Sequence, residues 1–237
     1  MHILLTCATP TEAKPLRKLL SSVAVAQRLG KSWIWERGNN RFELLRTGIS
    51  PRATAEALRQ WNRPTSGFSD RPGSGSRHDS DGLQRQDHDP GGRPDAVLVF
   101  GLAGSLQGSI RTGSVIIPQE WRSESQAETL SCCPRLLRSA KRALGEDPAV
   151  SIGGAAVTVD RPALSAAERV RVHRKFPGAL ICDMETYVVM QRFRSRSLAI
   201  RIVSDDCVDK ERIDFKRYSS ILARYVFQFL PALSEDR

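Results

Sequence analysis

The chain has 237 residues, 40% of them apolar, and carries a formal net charge of +10. This length and apolar content predict one domain of ordinary α/β size with a substantial core. No stretch approaches the roughly 20 apolar residues that span a bilayer, and the N-terminus lacks the features of a signal peptide, so we expect a cytoplasmic protein that does not enter membranes.

The cysteines, histidines and arginines indicate no metal and no nucleic acid. Five cysteines and four histidines follow no zinc or disulfide spacing, which predicts that the chain holds no metal. The positive charge makes nucleic acid a partner to consider. However, the densest basic group, Arg192, Arg194 and Arg196, contains no interleaved aromatic residue. We therefore interpret the basic residues as a solvated surface.

The first 62 residues predict a strand, a helix, a β-hairpin and a second helix. The hairpin turns at Gly38-Asn39-Asn40, which is rich in turn-forming residues. In chain order the segments cover residues 3–7, 10–20, 32–36 with 41–46, and 53–61.

The composition changes abruptly at residues 63–94. This tract is rich in Pro, Gly, Ser, Asp and Arg, and its only large apolar residues are Phe68 and Leu83. Such a sequence cannot bury enough surface to order itself. Neither flank looks complete alone, so we predict a disordered insertion within a single domain that spans residues 1–237.

Strands alternate with helices from residue 96 onwards. Residues 96–100 form an apolar run typical of a central parallel strand. The other predicted strands cover 114–118, 155–159, 179–182 and 198–203, and the helices cover 133–144, 165–175, 186–193 and 215–230. This alternation predicts a three-layer α/β fold with a mostly parallel, twisted central sheet and helices on both faces.

Two acidic residues directly follow predicted strands. Glu185 comes after the strand at 179–182, and Asp205 after the strand at 198–203. Ligands of α/β sheets bind at the carboxyl ends of strands. Taken singly, Glu185 is explained as a helix first-turn carboxylate and Asp205 as a turn residue. Together they indicate a site in which two carboxylates have separate roles.

Glu12 and a glycine-rich turn each have two interpretations. Thr9, Pro10 and Glu12 fit a capping box at a helix start, which the sequence alone favours over a general base. The turn Gly101-Leu102-Ala103-Gly104 has neither dinucleotide-binding spacing nor a P-loop lysine. It is either a tight strand-to-helix turn or a floor where the backbone approaches a ligand.

Several segments in the correct order resemble the nucleoside phosphorylase/nucleosidase superfamily. The resemblance is in particular to the methylthioadenosine/adenosylhomocysteine nucleosidases and the related futalosine hydrolases, and it runs nearly end to end apart from residues 63–94. The segments that carry it are Ala8-Thr9-Pro10-Thr11-Glu12, Thr47-Gly48-Ile49-Ser50, Gly101-Leu102-Ala103-Gly104-Ser105-Leu106, Asp183-Met184-Glu185 and Arg201-Ile202-Val203-Ser204-Asp205.

The resemblance implies hydrolysis of a ribosyl–purine bond without a cofactor, in a homodimer. Asp205 would protonate or hydrogen-bond purine N7, Glu185 would bind the ribose 2′- and 3′-hydroxyls, and Glu12 would activate the attacking water. The resemblance implies further substrate contacts from Met184, Asp183, Ala103, Gly104, Ile49, Ala163, Phe215 and Ser204.

Three functions stay open on the residues alone: a nucleosidase, a phosphorylase, and a non-catalytic nucleoside-binding protein. Phosphorolytic relatives carry arginines where this chain has Glu12 and Val99. A carboxylate would repel phosphate by roughly 1–4 kcal/mol at 4 Å, which favours water.

The substrate is also left open by the sequence. The segment Asp160-Arg161-Pro162-Ala163 lacks the aromatic residue that stacks on adenine in nucleosidases. Asp183-Met184-Glu185-Thr186 is similar to the Asp-Met-Glu-Ser of relatives that act on adenosyl-hopane, so a large apolar 5′ group is one alternative.

Overall fold

The computed structural model describes residues 1–29, 32–61, 93–206 and 213–235. The predicted insertion at 63–94 falls almost entirely outside these residues, so its disorder stays a prediction. Within the described parts of the chain, no helix is both long enough and apolar enough to cross a membrane.

The described residues form one twelve-stranded mixed sheet and six α-helices. The strands are β1 (His2–Cys7), β2 (Ala26–Leu29), β3 (Ser32–Arg37), β4 (Asn40–Arg46), β5 (Ala96–Ser105), β6 (Val115–Ile117), β7 (Glu120–Ser123), β8 (Leu130–Ser131), β9 (Val150–Ile152), β10 (Ala155–Thr158), β11 (Ala179–Asp183) and β12 (Ser197–Asp205). The helices are α1 (Pro10–Ser21), α2 (Pro51–Trp61), α3 (Pro134–Leu144), α4 (Ala166–Lys175), α5 (Thr186–Phe193) and α6 (Phe215–Glu235).

The centre of the sheet is parallel. β1 pairs in parallel with both β4 and β5, and β5 pairs in parallel with β12. Antiparallel pairs occur in the hairpin β3–β4, at β2–β3 and β7–β8, and where β11 meets β5 and β6 meets β12. The carboxyl ends of β4, β1, β5 and β12 therefore lie side by side along one edge of the sheet.

Helices cover both faces of the sheet, as predicted. Trp35 on β3 donates its indole N–H to Ser21 at the end of α1. Trp61 on α2 donates its indole N–H to Glu43 on β4. Trp35 is paired with Phe42, the residue before Glu43, so these two contacts lie on opposite faces because successive strand residues alternate. The α/β fold class is confirmed.

The glycine-rich segment at 101–104 is not a strand-to-helix turn. β5 continues through it to Ser105, so that expectation of the sequence was wrong. The backbone finds partners on two sides, because Gly101 is paired with Arg201 of β12 and Gly104 with Cys182 of β11. Long-range pairing, which leaves no local signal, extends the strand.

Candidate active site

The carboxyl ends of β1, β5, β11 and β12 bring most of the predicted site residues together. Glu12 follows β1, Glu185 follows β11, and Asp205 ends β12. Ala103 and Gly104 lie on β5 between these strands, and Ser204 precedes Asp205.

Glu12 is both a helix cap and a neighbour of β5. Its Oε2 accepts hydrogen bonds from the backbone N–H of Thr9 at 2.8 Å and from its hydroxyl at 2.9 Å, while Thr9 Oγ1 accepts from the Glu12 N–H at 3.2 Å. The predicted capping box is therefore confirmed. The other oxygen, Oε1, accepts from the Leu102 N–H at 3.0 Å. Glu12 is only 5% exposed, so the cap holds a buried carboxylate in one orientation.

Gly101 is required where Glu12 meets β5. A Cβ atom at this position would lie 2.7 Å from Glu12 Oε1 and closer still to Nη1 of Arg201. No side chain fits between these two charged groups. The glycine thus lets a carboxylate and a guanidinium approach the same stretch of backbone.

Arg201 and Asp183 form a buried ion pair next to this point. Arg201, on β12, is 1% exposed, and its Nη2 lies 2.5 Å from Asp183 Oδ2. Thr186 Oγ1 accepts from Nε and Nη2 of Arg201 and itself donates to Asp183. Thr158 donates to the other oxygen of Asp183 at 2.6 Å. These partners engage both oxygens of Asp183 and hold its carboxylate in one orientation, two residues before Glu185.

Arg201 is the site residue that the sequence interpretation missed. It interrupts the apolar run 198–203, and a charged residue inside a strand that is buried on both faces needs a partner of opposite charge. That mismatch was the available signal, but the partner, Asp183, could be identified only in the fold.

Glu185 is held by an unusual turn. The backbone N–H of Ser50 donates to Glu185 Oε1 at 3.1 Å. Ser50 has φ 103°, a region that residues with a side chain rarely adopt, and Gly48, two residues earlier, has φ 85°. Backbone strain of this kind often accompanies a functional site, and here it aims the N–H at the carboxylate.

The pKa of Glu185 is raised to about 7, chiefly because burial penalises the charged form and secondly because Asp183 lies nearby. The positive charge of Arg201 and the hydrogen bond from Ser50 oppose this rise. The carboxyl group is therefore poised to change its charge near neutral pH.

Asp205 is aimed by an irregularity in β12. The register against β5 shifts between Val203 and Asp205, which is the pattern of a β-bulge. Ser204 Oγ lies 2.7 Å from Asp205 Oδ2 and 3.3 Å from the carbonyl oxygen of Ala103. The single hydroxyl proton of Ser204 has the Asp205 carboxylate as its nearer acceptor and the β5 carbonyl as its more distant one.

The remaining predicted contact residues divide into two groups. Ala163 is buried in a small apolar cluster that also contains Leu106. Met184 and Phe176 pack against this cluster. Ile49 is 60% exposed and Phe215 is 51% exposed, so both offer apolar surface to solvent.

Cys7 shows which charges surround the end of β1. Burial raises the pKa of its thiol well above the ordinary value, and Glu12 raises it further, whereas Arg46 and Arg201 lower it. The thiol is therefore kept protonated and unreactive. In the parts of the chain that the structure describes, no three His, Cys, Asp or Glu side chains are grouped so that they could hold a metal ion.

Solved structures of similar fold are nucleosidases and hydrolases. The 5′-methylthioadenosine/S-adenosylhomocysteine nucleosidase of S. pneumoniae, in a complex with a transition-state inhibitor, is 18% identical with a TM-score of 0.75, over 98% of this chain and 100% of that one. The corresponding enzyme of Neisseria meningitidis is 19% identical with a TM-score of 0.72, over 100% and 99%. The futalosine hydrolase of Helicobacter pylori is 14% identical with a TM-score of 0.71, over 98% and 99%.

At these identities the likeness concerns the fold. The family assignment comes from the sequence, because the model of the phosphorylase superfamily matches residues 2–230. A match over nearly the whole length shows that the chain belongs to the phosphorylase superfamily.

Proposed function

We propose that the protein hydrolyses the N-glycosidic bond of an adenosine-type purine nucleoside that carries a modified 5′ group. A member of the phosphorylase superfamily with this site is an N-ribosyl hydrolase or a nucleoside phosphorylase. The observation that carries the hydrolase is Glu12, a buried carboxylate whose capping bonds hold one oxygen while the other reaches the backbone of β5.

Asp205 serves the leaving group. Cleavage of a ribosyl–purine bond places negative charge on the base as the sugar becomes cationic. A carboxyl group that donates a proton to N7 neutralises that charge, and the transfer is worth ~10²–10⁴-fold in rate. The bulge in β12 and the hydroxyl of Ser204 support this role, since they orient Asp205 at the end of its strand.

Glu185 serves the ribose. A carboxylate has two oxygens and accepts two hydrogen bonds from adjacent hydroxyls. Binding of two hydroxyl donors favours the ionised form, and the hydrogen bond from Ser50 already does so in the free protein. The raised pKa of Glu185 means that substrate binding draws the group towards its charged state.

Glu12 serves the nucleophile. Its Oε1 is held beside Gly101 by the N–H of Leu102, and this oxygen takes the proton of the attacking water. Arg201 is already neutralised by Asp183, so the pair leaves little net charge to attract phosphate. Val99, where phosphorolytic relatives carry an arginine, is buried and apolar. These features favour water.

The finer parts of the proposal concern substrate and assembly. Proteins of similar structure are named for their action on methylthioadenosine and S-adenosylhomocysteine or on futalosine. These names support a purine nucleoside with a substituted 5′ position as the substrate. A cytoplasmic homodimer is part of the proposal, and the exposed side chains of Ile49, Leu164 and Phe215 supply apolar surface for it. Nucleic acid is not part of it.

A product assay tests the proposal directly. Purine nucleosides with and without 5′ substituents are incubated with the protein, and the released base and sugar are quantified with and without phosphate. We expect free base and free ribose derivative at a rate that does not depend on phosphate. Formation of ribose 1-phosphate would instead establish the phosphorylase, and tight binding without turnover would establish the non-catalytic binding protein.

A further inference from the structure

Three neighbouring helices expose positive charge on one face of the sheet. α6 packs against β5 and β12 and also against both α1 and α3, so the three helices form one layer. The lysines and arginines on the solvent side of this layer come from distant parts of the chain, which is why no local cluster indicated them. We call the following exposed residues the basic layer: Lys14 and Lys18 on α1, Arg138 and Lys141 on α3, and Arg217 and Arg224 on α6.

Acidic residues are nearly absent from the three helices. α3 contains no Asp or Glu, the only acidic residue of α1 is the buried Glu12, and the only one of α6 is its last residue, Glu235. Two exposed carboxylates lie just outside the helices, since Asp214 precedes α6 and Glu146 follows α3. Among the residues that the structure describes, no member of the basic layer takes part in an ion pair. The layer therefore presents one sign of charge to solvent.

The spacing of these cations makes them repel one another. Lys14 and Lys18 are four residues apart, and Arg138 and Lys141 are three apart, so each pair occupies neighbouring positions on one helix surface. Like charges at these spacings destabilise a helix, whereas a surface that serves only solubility mixes the two signs. A partner of opposite charge therefore explains the pattern better than solvation alone.

The opposite face of the sheet shows the mixed pattern. α2 carries Arg59 three residues after Glu56, and Nη2 of Arg59 lies 2.8 Å from Glu56 Oε2. Arg194, which follows α5, is paired with Glu128 at 2.7 Å. α2 and α5 pack against each other, and α2 lies on the face away from α1. The chain thus pairs exposed arginines here but pairs none of the six cations of the basic layer with a described residue.

Two kinds of protein partner fit the basic layer poorly. A second copy of this chain would meet it in a two-fold contact that places cations against cations. A different protein would bury an apolar centre in the contact. However, Ser220 and Gln228, which lie on the exposed side of α6 with Arg224, are polar.

Nucleic acid fits the layer less well than a lipid surface does. A duplex is read by a helix or β-ribbon that enters a groove, and single strands stack on aromatic side chains. α1, α3 and α6 instead pack on the sheet and present their sides to solvent. At the usual spacing of packed helices, α1 and α3 lie roughly 16–20 Å apart across α6. Lipid headgroups offer negative charge over an area of this width.

We propose that the basic layer binds the surface of an anionic lipid bilayer. The contact is peripheral and electrostatic, because the ammonium and guanidinium groups of the layer meet the phosphates and carboxylates of the headgroups. Each Lys or Arg near such a surface contributes about fivefold in affinity. The six side chains lie on outer helix faces and are not among the residues assigned to the active site, so this proposal is independent of the proposed hydrolysis.

Cosedimentation with vesicles tests the proposal. The full chain is mixed with vesicles of phosphatidylcholine alone, or of phosphatidylcholine and phosphatidylserine in equal amounts, and the bound fraction is measured. We expect binding to the mixed vesicles only, and the affinity should fall as salt is raised, because salt screens exposed charges. Failure to bind the mixed vesicles at low salt would overturn the proposal.

A matched pair of double variants locates the contact. Arg138→Gln with Arg224→Gln removes two cations of the basic layer, and Arg59→Gln with Arg192→Gln removes the same charge from exposed positions on α2 and α5. The first double variant should bind the mixed vesicles about 30-fold more weakly, and the second should bind within about twofold of the unmodified protein. An equal loss in both would attribute binding to net charge and reject the basic layer.

Two further measurements separate the contact from a change in the fold and from another polyanion. The melting temperature of the first double variant should not fall, since Arg138→Gln removes a like charge beside Lys141. Lys14→Gln with Lys18→Gln repeats the binding test on α1 and should weaken binding by a similar factor. Duplex DNA that releases the protein from mixed vesicles at an equal concentration of phosphate would identify nucleic acid as the tighter ligand and overturn the lipid assignment.

Discussion

Two helices of this protein begin with the same local motif and lead to different chemistry. α1 starts at Thr9 and α4 starts at Ser165, and in both helices the hydroxyl accepts from the N–H of a glutamate three residues on. The carboxylates of Glu12 and Glu168 each accept a hydrogen bond from a backbone N–H at the start of their helix. The two caps are closely similar and differ in one bond, since Glu12 accepts from the N–H of its N-cap residue Thr9 and Glu168 from that of Leu164, just before the N-cap Ser165.

Their surroundings are not equivalent. Glu12 is buried at the carboxyl end of β1, and its second oxygen receives the N–H of Leu102. Glu168 is partly exposed, and among the residues that the structure describes its side chain is bonded to Leu164 and Ser165 at its own helix start. The comparison teaches that a capping box reports where a helix begins, whereas its tertiary neighbours decide whether the carboxylate has a second role.

The largest contrast is expected from the amide substitutions of the two glutamates. Glu12→Gln should lower hydrolysis by ~10²–10⁴-fold, because an amide cannot act as a general base. Its melting temperature should stay within a few degrees, since glutamine also serves in a capping box. Glu168→Gln is the matched control and should keep full activity. Steady-state kinetics and thermal melts check both, and normal turnover by Glu12→Gln would leave Glu12 as a cap only.

A similar loss of activity is expected when the carboxylate of Asp205, which caps no helix, is replaced. Asp205→Asn should reduce base release by ~10²–10⁴-fold, because the leaving purine loses its proton donor. The fold should be unaffected, as measured by circular dichroism and melting temperature. If the variant releases base from a natural purine nucleoside at nearly the unmodified rate, Asp205 is not the acid.

A smaller loss is expected when the neighbourhood of Glu12 is disturbed and the carboxylate is kept. Gly101→Ala places a Cβ against Glu12 Oε1 and Arg201. A displacement of about 1 Å in a catalytic group lowers the rate by about 10²-fold. Gly108→Ala is the control, because a Cβ there meets nothing within 4 Å. Equal kcat values for the two variants would show that Glu12 tolerates movement.

Below about pH 7, kcat/KM should fall by about tenfold per pH unit because of the buried Glu185. Glu185 has a pKa raised to about 7 and must be ionised to accept ribose hydroxyls, so kcat/KM should fall as the pH drops below about 7. Its folded state binds more protons than the unfolded chain, so its contribution to stability falls as the pH rises from about 4.5 to about 7.

Glu168 has the opposite sign. Its backbone bond from Leu164 lowers its pKa, so its contribution to stability is present above the ordinary carboxyl pKa and is lost as the pH falls through the lowered one. Denaturant titrations at several pH values check both directions. Glu185→Gln should flatten the decline between about pH 4.5 and 7, and an unchanged decline would show that another group causes it.

The smallest effect is expected from removal of the two caps. Thr9→Ala and Ser165→Ala should each lower the free energy of unfolding by ~1 kcal/mol, because each helix loses an acceptor for a backbone N–H. Only Thr9→Ala should also reduce activity, since Thr9 holds Glu12 by its hydroxyl. Equal activity of the two variants would indicate that β5 alone orients Glu12.

The sequence by itself determined the features that depend on nearby residues. The start of α1 at Thr9-Pro10, the hairpin at Gly38, and the apolar runs of β1, β5 and β12 were all predicted, because caps, turns and core strands are encoded by short local patterns. The carboxyl-end positions of Glu185 and Asp205 followed from the ends of those strands.

The tertiary structure alone decided which groups meet. Leu102 donates to Glu12 from 90 residues away, and Arg201 finds Asp183 and Thr186 across two strands. The extension of β5 through Gly101 likewise depends on strand register, and the basic layer depends on the packing of α1, α3 and α6. These contacts have no local signature, because hydrogen bonding and charge pairing between distant segments depend on how the sheet brings those segments together.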